Sequence, residues 1–244
     1  LGEGTVDAVV TDIPYGTTQN KWDVVIPFAP MWELCGLALA ANGVFVTTSA
    51  QPFTSILVTS NLKWFRYACV WDRVNKFTDH LNAKRRPMRR HEDVLVFSPQ
   101  SSHTYNPRMV PVKSYKSRRS QPTNTASYGV VNGCDYGAEI REHNPSSVIS
   151  IEGAATTGIM HPTQKPVELM SYLVETYSNQ REIIADIAMG SGTTGVACIR
   201  IKRRFIGIEL DEKYYQDAVK RCQRELDRHP LFDQPKLRQG ELIL

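Results

Sequence analysis

The sequence predicts an α/β protein built on a doubly wound, mostly parallel sheet, and three observations carry that expectation. Short apolar runs of strand length alternate with longer stretches of helical character through the first hundred residues. Toward the carboxyl end, a strand-like run at 182–187 leads into a glycine-rich loop, an apolar helical stretch and a further strand that ends on Glu209. At 244 residues the chain is long enough for one sizeable α/β domain carrying an insert. Alternation of this kind places helices on both faces of a parallel sheet, because each parallel crossover needs a connection of helical length.

Taken in order, residues 6–11 form an apolar strand, 31–41 a helix that Gly43 stops at its C-terminus, and 44–48 a second strand. Residues 52–61 read as a helix, and 65–71 and 93–97 as strands. From 99 to 160 the periodicity fails, and Ser, Pro, Asn, Gly and Tyr dominate. Such a stretch is either a long irregular recognition region or one that orders only on a partner. Helix 167–177, strand 182–187, helical residues 196–201, strand 205–208 and a charged terminal helix at 211–228 complete the pattern. The expected organisation is a catalytic half at 1–98, an insert at 99–160 and a cofactor-binding half at 161–244.

Composition excludes several classes. No run approaches the roughly 20 apolar residues of a membrane span, and no secretory signal opens the chain. The five cysteines are scattered without a C-x-x-C pair, which points to a reducing cytoplasm rather than a disulfide framework or a zinc site. The six histidines lack H-x-x-x-H spacing, so no metal site is expected. Charge is uneven. The whole chain carries +4, yet residues 63–120 hold nine Arg and five Lys against three Asp and one Glu, so the remainder is net negative. A basic middle in an otherwise acidic chain suits contact with a phosphate backbone. Its densest part contains Lys84, Arg85, Arg86, Arg89 and Arg90, followed by Lys116, Arg118 and Arg119.

Two segments carry chemistry. Asp12-Ile13-Pro14-Tyr15-Gly16 follows the first apolar strand. A ring-attached amino group is a poor nucleophile because its lone pair is delocalised. Two acceptors on its N–H bonds, one of them charged, would draw the nitrogen toward a tetrahedral geometry. Asp12 supplies a charged acceptor and the Ile13 carbonyl a second. Pro14 restrains the backbone, and Tyr15 offers a face for stacking a base. Taken alone, the segment is equally readable as a turn closing a strand. The second segment, Met189-Gly190-Ser191-Gly192-Thr193-Thr194-Gly195, lies between a strand and a helix, so its backbone can approach a ligand and the helix N-terminus favours an anionic group. Glu209 at the end of the next strand is placed to accept hydrogen bonds from ribose hydroxyls. The G-x-G-x-x-G spacing also fits a dinucleotide, but too few elements follow it for a dinucleotide fold.

Read together, Asp-x-Pro-Tyr, then His161-Pro162-Thr163-Gln164-Lys165-Pro166, then Asp186 through Thr194 resemble the β-group of S-adenosylmethionine-dependent DNA amino-methyltransferases, of the adenine N6 type found in bacteria, phages and restriction-modification systems. Gly16-Thr17-Thr18, Ser49-Ala50-Gln51-Pro52-Phe53 and His91-Glu92-Asp93-Val94-Leu95-Val96-Phe97 add to the likeness, which extends from Val6 to about Arg228. The resemblance implies a Rossmann-like methyltransferase fold with an irregular target-recognition insert. It implies that Asp12 and the Ile13 carbonyl bind the target amino group, that Pro14 braces the loop and that Tyr15 stacks on a flipped base. It further implies that Asp186, Met189, Gly190, Ser191, Gly192 and Thr193 surround the methionine part of the cofactor, with Thr163 and Lys165 near its carboxylate and Glu209 on its ribose. Double-stranded DNA is the implied partner, and relatives often pair as homodimers. Asp at position 12 favours adenine. Cytosine N4, an RNA or protein amide, or a catalytically impaired DNA-binding relative stand as alternatives. The chain departs from the family pattern at Ile13 and at Ile187-Ala188, where Pro and Pro-Phe are usual, and it begins at Leu1 without the upstream Gly-Asp strand that many relatives carry.

Overall fold

In the computed structural model, the described residues are 2–20, 22–74, 76–116, 123–125, 129–131, 139–154 and 164–228, with backbone only at 123–125 and 129–131. The chain runs β1 (Val6–Thr11), α1 (Phe28–Ala38), β2 (Leu39–Ser49), α2 (Phe53–Ser60), β3 (Phe65–Asp72), a 3-10 turn (His80–Asn82) and β4 (His91–Phe97). It continues through β5 (Val110–Lys116), β6 (Thr123–Thr125), β7 (Gly129–Val131), β8 (Glu139–His143) and β9 (Val148–Ser150). The last elements are α3 (Val167–Tyr177), β10 (Ile183–Asp186), α4 (Thr193–Arg200), β11 (Arg204–Gly207) and α5 (Glu212–Arg228).

Seven strands form one sheet in the order β11-β10-β1-β2-β4-β3-β9. All neighbours pair in parallel except that β4 runs against both β2 and β3. The expected mostly parallel sheet is therefore present. Its strands alternate faces as a two-residue period requires. Val44, Val46, Val94, Val96 and Ile184 pack into one core, while Phe45, Leu95, Phe97 and Ala185 pack into the other. The first core also takes residues of α3, α4 and α5, and the second those of α1 and α2. Helices therefore cover both faces. Each such buried Val or Phe contributes roughly 1.5–3 kcal/mol relative to exposure, and this holds the strands in register.

Three expectations at the level of elements need correction. The first helix starts upstream of residue 31 and ends at Ala38, because Pro30 falls in its first turn, where amide donors have no helical partner, and Leu39 is already extended (φ −69°, ψ 134°). Gly43 is thus not a helix stop. It lies inside β2 at an irregularity where Val6 pairs Leu39 but Ala8 pairs Val44, and a Cβ there would sit 2.8 Å from the Ala40 carbonyl oxygen. Helix α4 begins at Thr193 rather than 196, so Gly195 belongs to the helix and not the loop. A Cβ on Gly195 would meet Cys222 Sγ at 2.7 Å and the Phe205 ring at 2.8 Å, so the glycine permits close packing against α5 and β11. Finally, β9 lies within the stretch expected to be irregular, yet it pairs with β3.

The chain divides into two compact units, residues 1–106 with 147–244, and Pro107–Ser146. The smaller falls inside the expected insert and contains two antiparallel pairs, β5 with β8 and β6 with β7. Among the described residues no helix is long and apolar enough to cross a membrane.

Candidate active site

β1 and β10 are parallel neighbours, and the chain leaves them toward opposite sides of the sheet, to β2 and to β11. That reversal of strand order opens a crevice at the carboxyl ends of the strands, which is where open α/β sheets bind ligands. Both sequence segments emerge there. The Thr11 hydroxyl at the end of β1 donates to Asp186 Oδ1 at the end of β10 over 2.7 Å, so the two segments begin side by side.

The Asp12 carboxylate is held by three donors. Oδ1 accepts from the Tyr15 hydroxyl at 2.9 Å and from Thr48 of β2, and Oδ2 accepts from Lys165 Nζ at 2.5 Å. Behind Asp12 stands Glu92 at the start of β4, which is 5% exposed. Its Oε2 lies 3.3 Å from the Tyr15 hydroxyl and 3.5 Å from Lys165 Nζ, and its Oε1 pairs with Arg73. Two carboxylates and two cations thus form one compact, balanced cluster. Burial lowers the pKa of Lys165 against the raising influence of Asp12, and burial pushes the Tyr15 hydroxyl well up, with the Asp12 charge adding to it. The Tyr15 ring stacks on Phe53, with centroids 5.1 Å apart and planes at 22°. Ile13 is fully buried in the core beside α1 and α2. Its packing anchors the motif at the position where proline stiffness is absent.

The loop that follows is fixed by Asp23. Its two carboxylate oxygens accept the amides of Gly16, Thr17 and Thr18 at 2.8, 2.9 and 2.7 Å. Burial alone would raise the pKa of Asp23, but these amides together with the Thr18 hydroxyl outweigh it and hold the carboxyl below its ordinary value.

On the other side of the crevice, Gly190 and Gly192 take positive φ values of 49° and 72°, which only glycine adopts without strain. The Gly190 amide donates to Glu209 Oε2 at 2.8 Å, so the acid after β11 lies directly against the glycine loop. A Cβ on Gly192 would lie 3.0 Å from the Ala218 Cβ, and Arg221 of α5 donates to the Ser191 carbonyl, the Ser191 hydroxyl and the Thr193 hydroxyl at 3.0–3.1 Å. Met189 is buried over Gly207. Asp186 is 3% exposed, and its oxygens accept from Thr11, from the Ala188 amide at 3.1 Å and from Thr194 at 2.6 Å. Burial raises its pKa to about 6 despite those bonds. A tight, glycine-lined cradle with an acid able to accept from vicinal hydroxyls fits a nucleoside cofactor with an extended polar tail.

The structure brings together Asp12, Ile13, Pro14 and Tyr15 on one side and Asp186, Met189, Gly190, Ser191, Gly192, Thr193 and Glu209 on the other. Lys165, expected on the cofactor side, places its ammonium on Asp12. Its neighbour Gln164 accepts from the Ser191 hydroxyl at 3.1 Å, so this pair of residues touches both segments. Thr163, Arg118 and Arg119 lie outside the described residues. Lys84, Arg85, Arg86 and Arg90 are exposed, with Arg86 paired to Asp79 and Arg90 to Asp72, each at 2.6 Å. Arg89 is partly buried with its Nε unpartnered, and Lys116 is exposed on β5 of the smaller unit. Thr48, Phe53, Arg73, Glu92 and Arg221 had no role assigned from sequence. Two acids, Glu92 and Asp93, precede the apolar run of β4, and position alone does not single out Glu92.

Fold and site together define an open α/β protein in which a glycine loop and an acid-tipped neighbouring strand meet at one crevice. A family model described as DNA methylase, of the N6/N4 type, matches residues 6–220, and the chain belongs to that family. Type II methyltransferase M.HpaI of Haemophilus parainfluenzae is 26% identical over 254 residues, covering 96% of this chain and 73% of that protein. Type II methyltransferase M1.MboII of Moraxella bovis is 25% identical over 234 residues, covering 88% of each. Among solved structures, M1.HpyAVI in complex with SAM has a TM-score of 0.57 at 24% identity, covering 89% of both chains. The cytosine-N4-specific PvuII DNA methyltransferase has a TM-score of 0.61 at 16% identity, covering 93% of this chain and 86% of that one. These two likenesses concern the fold.

Proposed function

We propose that the protein transfers a methyl group from S-adenosylmethionine to the N6 amino group of adenine in double-stranded DNA. The observation that carries this reading is the Thr11–Asp186 hydrogen bond of 2.7 Å, which ties the amino-gripping segment to the cofactor segment across adjacent strands. Adenine is favoured over cytosine by the Asp at position 12, following the resemblance to N6 enzymes.

The cofactor, when bound, supplies an electrophilic methyl group on a positively charged sulfur. Glu209 would accept from its ribose hydroxyls, and the Gly190–Gly192 backbone would hold its methionine part. The target base leaves the DNA stack, a cost of a few kcal/mol. Asp12 and the Ile13 carbonyl then accept the two N–H bonds of its amino group, and Tyr15, seated on Phe53, supports the ring. The reaction moves positive charge onto the amino nitrogen, and a carboxylate beside it stabilises that change. Positioning supplies much of the rest, and the methylated nitrogen is acidic enough to lose its proton without a strong base. Lys84, Arg85, Arg86, Arg89, Arg90 and Lys116 supply phosphate contacts.

Expression of the chain in a methylation-free bacterial host, followed by sequencing of modified bases, tests the reading. N6-methyladenine at a defined site, strongly reduced with Asp12→Ala, is the expected result. N4-methylcytosine in its place would move the assignment to cytosine, and unmodified DNA would overturn both.

A further inference from the structure

Glu92 is a buried carboxylate that the reaction described above leaves without a role. Its surroundings give it one. Lys165 Nζ lies 2.5 Å from Asp12 Oδ2 and 3.5 Å from Glu92 Oε2, so one ammonium faces two carboxylates. In the observed state it sits on Asp12, whose other oxygen is held by Tyr15 and Thr48. Both oxygens of the amino-gripping carboxylate are therefore engaged, and its charge is balanced at contact distance. That arrangement opposes the chemistry twice. An incoming amino group must share Oδ2 with the ammonium, and a nitrogen gaining positive charge would gain it beside that ammonium.

We propose that Glu92 is a positioning residue for methyl transfer, taking the Lys165 ammonium when the target amino group docks and leaving Asp12 as a bare carboxylate facing the reacting nitrogen. This rests on the reading of Asp12 as the amino-group acceptor. Rotation about the last bonds of the Lys165 side chain closes the gap to Glu92. Glu92 already holds Arg73 on its other oxygen, and a carboxylate has lone pairs enough for both cations. No charge enters or leaves the cluster of Asp12, Glu92, Lys165 and Arg73. The shift only turns its negative end toward the base, so the net charge of these four groups is unchanged.

Steady-state methylation of unmethylated genomic DNA by the full chain, over a range of S-adenosylmethionine concentrations up to saturation, tests this with Glu92→Gln, Lys165→Met and the double variant. Glu92→Gln removes the second negative charge and leaves the ammonium on Asp12, so kcat falls on the order of tenfold or more with the KM for S-adenosylmethionine unchanged. Adding Lys165→Met removes the competing ammonium, and kcat recovers toward the parent, a coupling that independent effects would not produce. Glu92→Gln with parental kcat, or a double variant no more active than Glu92→Gln, overturns the proposal. So does loss of S-adenosylmethionine affinity by calorimetry in Lys165→Met, which would make Lys165 a cofactor ligand. Should Glu92→Gln fail to fold because Arg73 loses its partner, Glu92→Asp keeps a charge for Arg73 while drawing back from Lys165. A reduced kcat that Lys165→Met restores supports the proposal there, and an unreduced one sinks it. An inactive parent chain would instead remove the methyltransferase reading itself, before any variant is compared.

Discussion

Asp186→Asn probes the buried acid at the tip of β10, and its effect can be worked from the structure. The side chain is 3% exposed, and burial lifts its pKa to about 6 from the ordinary 3.8, against the lowering pull of Thr194, Thr11 and the Ala188 amide. Below about pH 4 the carboxyl is protonated in both the folded and the unfolded chain and has no effect on stability. Between about pH 4 and 6 the unfolded chain ionises first, so the fold loses stability as pH rises, and above about 6 the loss is constant. A gap of about 2 pH units at about 1.4 kcal/mol each gives a cost on the order of 3 kcal/mol at neutral pH. Asparagine removes the charge and keeps the contacts. Its Oδ1 accepts from Thr11 and Ala188, and its Nδ2 donates to the Thr194 hydroxyl where Oδ2 now accepts. The variant should therefore be more stable than the parent near pH 7 by up to about 3 kcal/mol, or roughly 6–12 °C in Tm, and the two should converge near pH 4. Urea unfolding of both proteins across that range measures the difference, in which the titrations of other carboxyls cancel. A variant less stable than the parent near pH 7, with the parental pH slope, would refute the reasoning. Methyl transfer should fall in the same variant, since the charge removed lies against the cofactor segment.

Further outcomes follow from individual side chains. Gly195→Ala forces a Cβ to within 2.7 Å of Cys222 Sγ and 2.8 Å of the Phe205 ring, and calorimetric melting should show a loss of about 1–3 kcal/mol. Arg221→Met removes three hydrogen bonds to Ser191 and Thr193, and the KM for S-adenosylmethionine should rise on the order of tenfold while the KM for DNA stays put. Asp12→Ala should lower kcat by about 10²–10³ with DNA affinity retained in a gel-shift assay, the scale expected when a charge-stabilising group is removed. Lys84→Gln with Arg85→Gln should weaken DNA binding and reduce the slope of log K against log salt by about 0.9 for each phosphate no longer neutralised.

The strands were legible in the sequence because a buried parallel sheet needs apolar residues on both faces. Val44, Phe45 and Val46 alternate between the two cores and leave an unbroken apolar run. Element ends were less legible. The α1–β2 junction at Ala38 and Leu39 carries no glycine or proline, and the turn-like Gly43 a few residues on belongs to a strand irregularity instead. The two chemical segments could be read because each is contiguous. What joins them could not. Lys165 meets Asp12 across 153 positions and Thr11 meets Asp186 across 175, and such pairings exist only once the sheet has set its strand order. Lys165 shows the limit most clearly: its motif is contiguous and readable, but the carboxylate it contacts is fixed by which strand lies beside β1.

The same topology explains why so much unfavourable electrostatics is tolerated at one place. Asp12, Glu92 and Asp186 all stand at ends of sheet strands next to the crevice, and Asp186 is there at a net cost to the fold. Each is anchored on a strand rich in fully buried residues, as Val9 and Val10 are before Asp12, Val94 and Leu95 after Glu92, and Ile184 and Ala185 before Asp186. Apolar burial on both faces of those strands can offset a local penalty of a few kcal/mol while the carboxylates stay fixed to within hydrogen-bond tolerances. A site of this kind would be expected to lose function before fold when its charges are neutralised one at a time. The pairing of higher stability with lower activity in Asp186→Asn is therefore the outcome that separates a charge kept for chemistry from one kept for architecture.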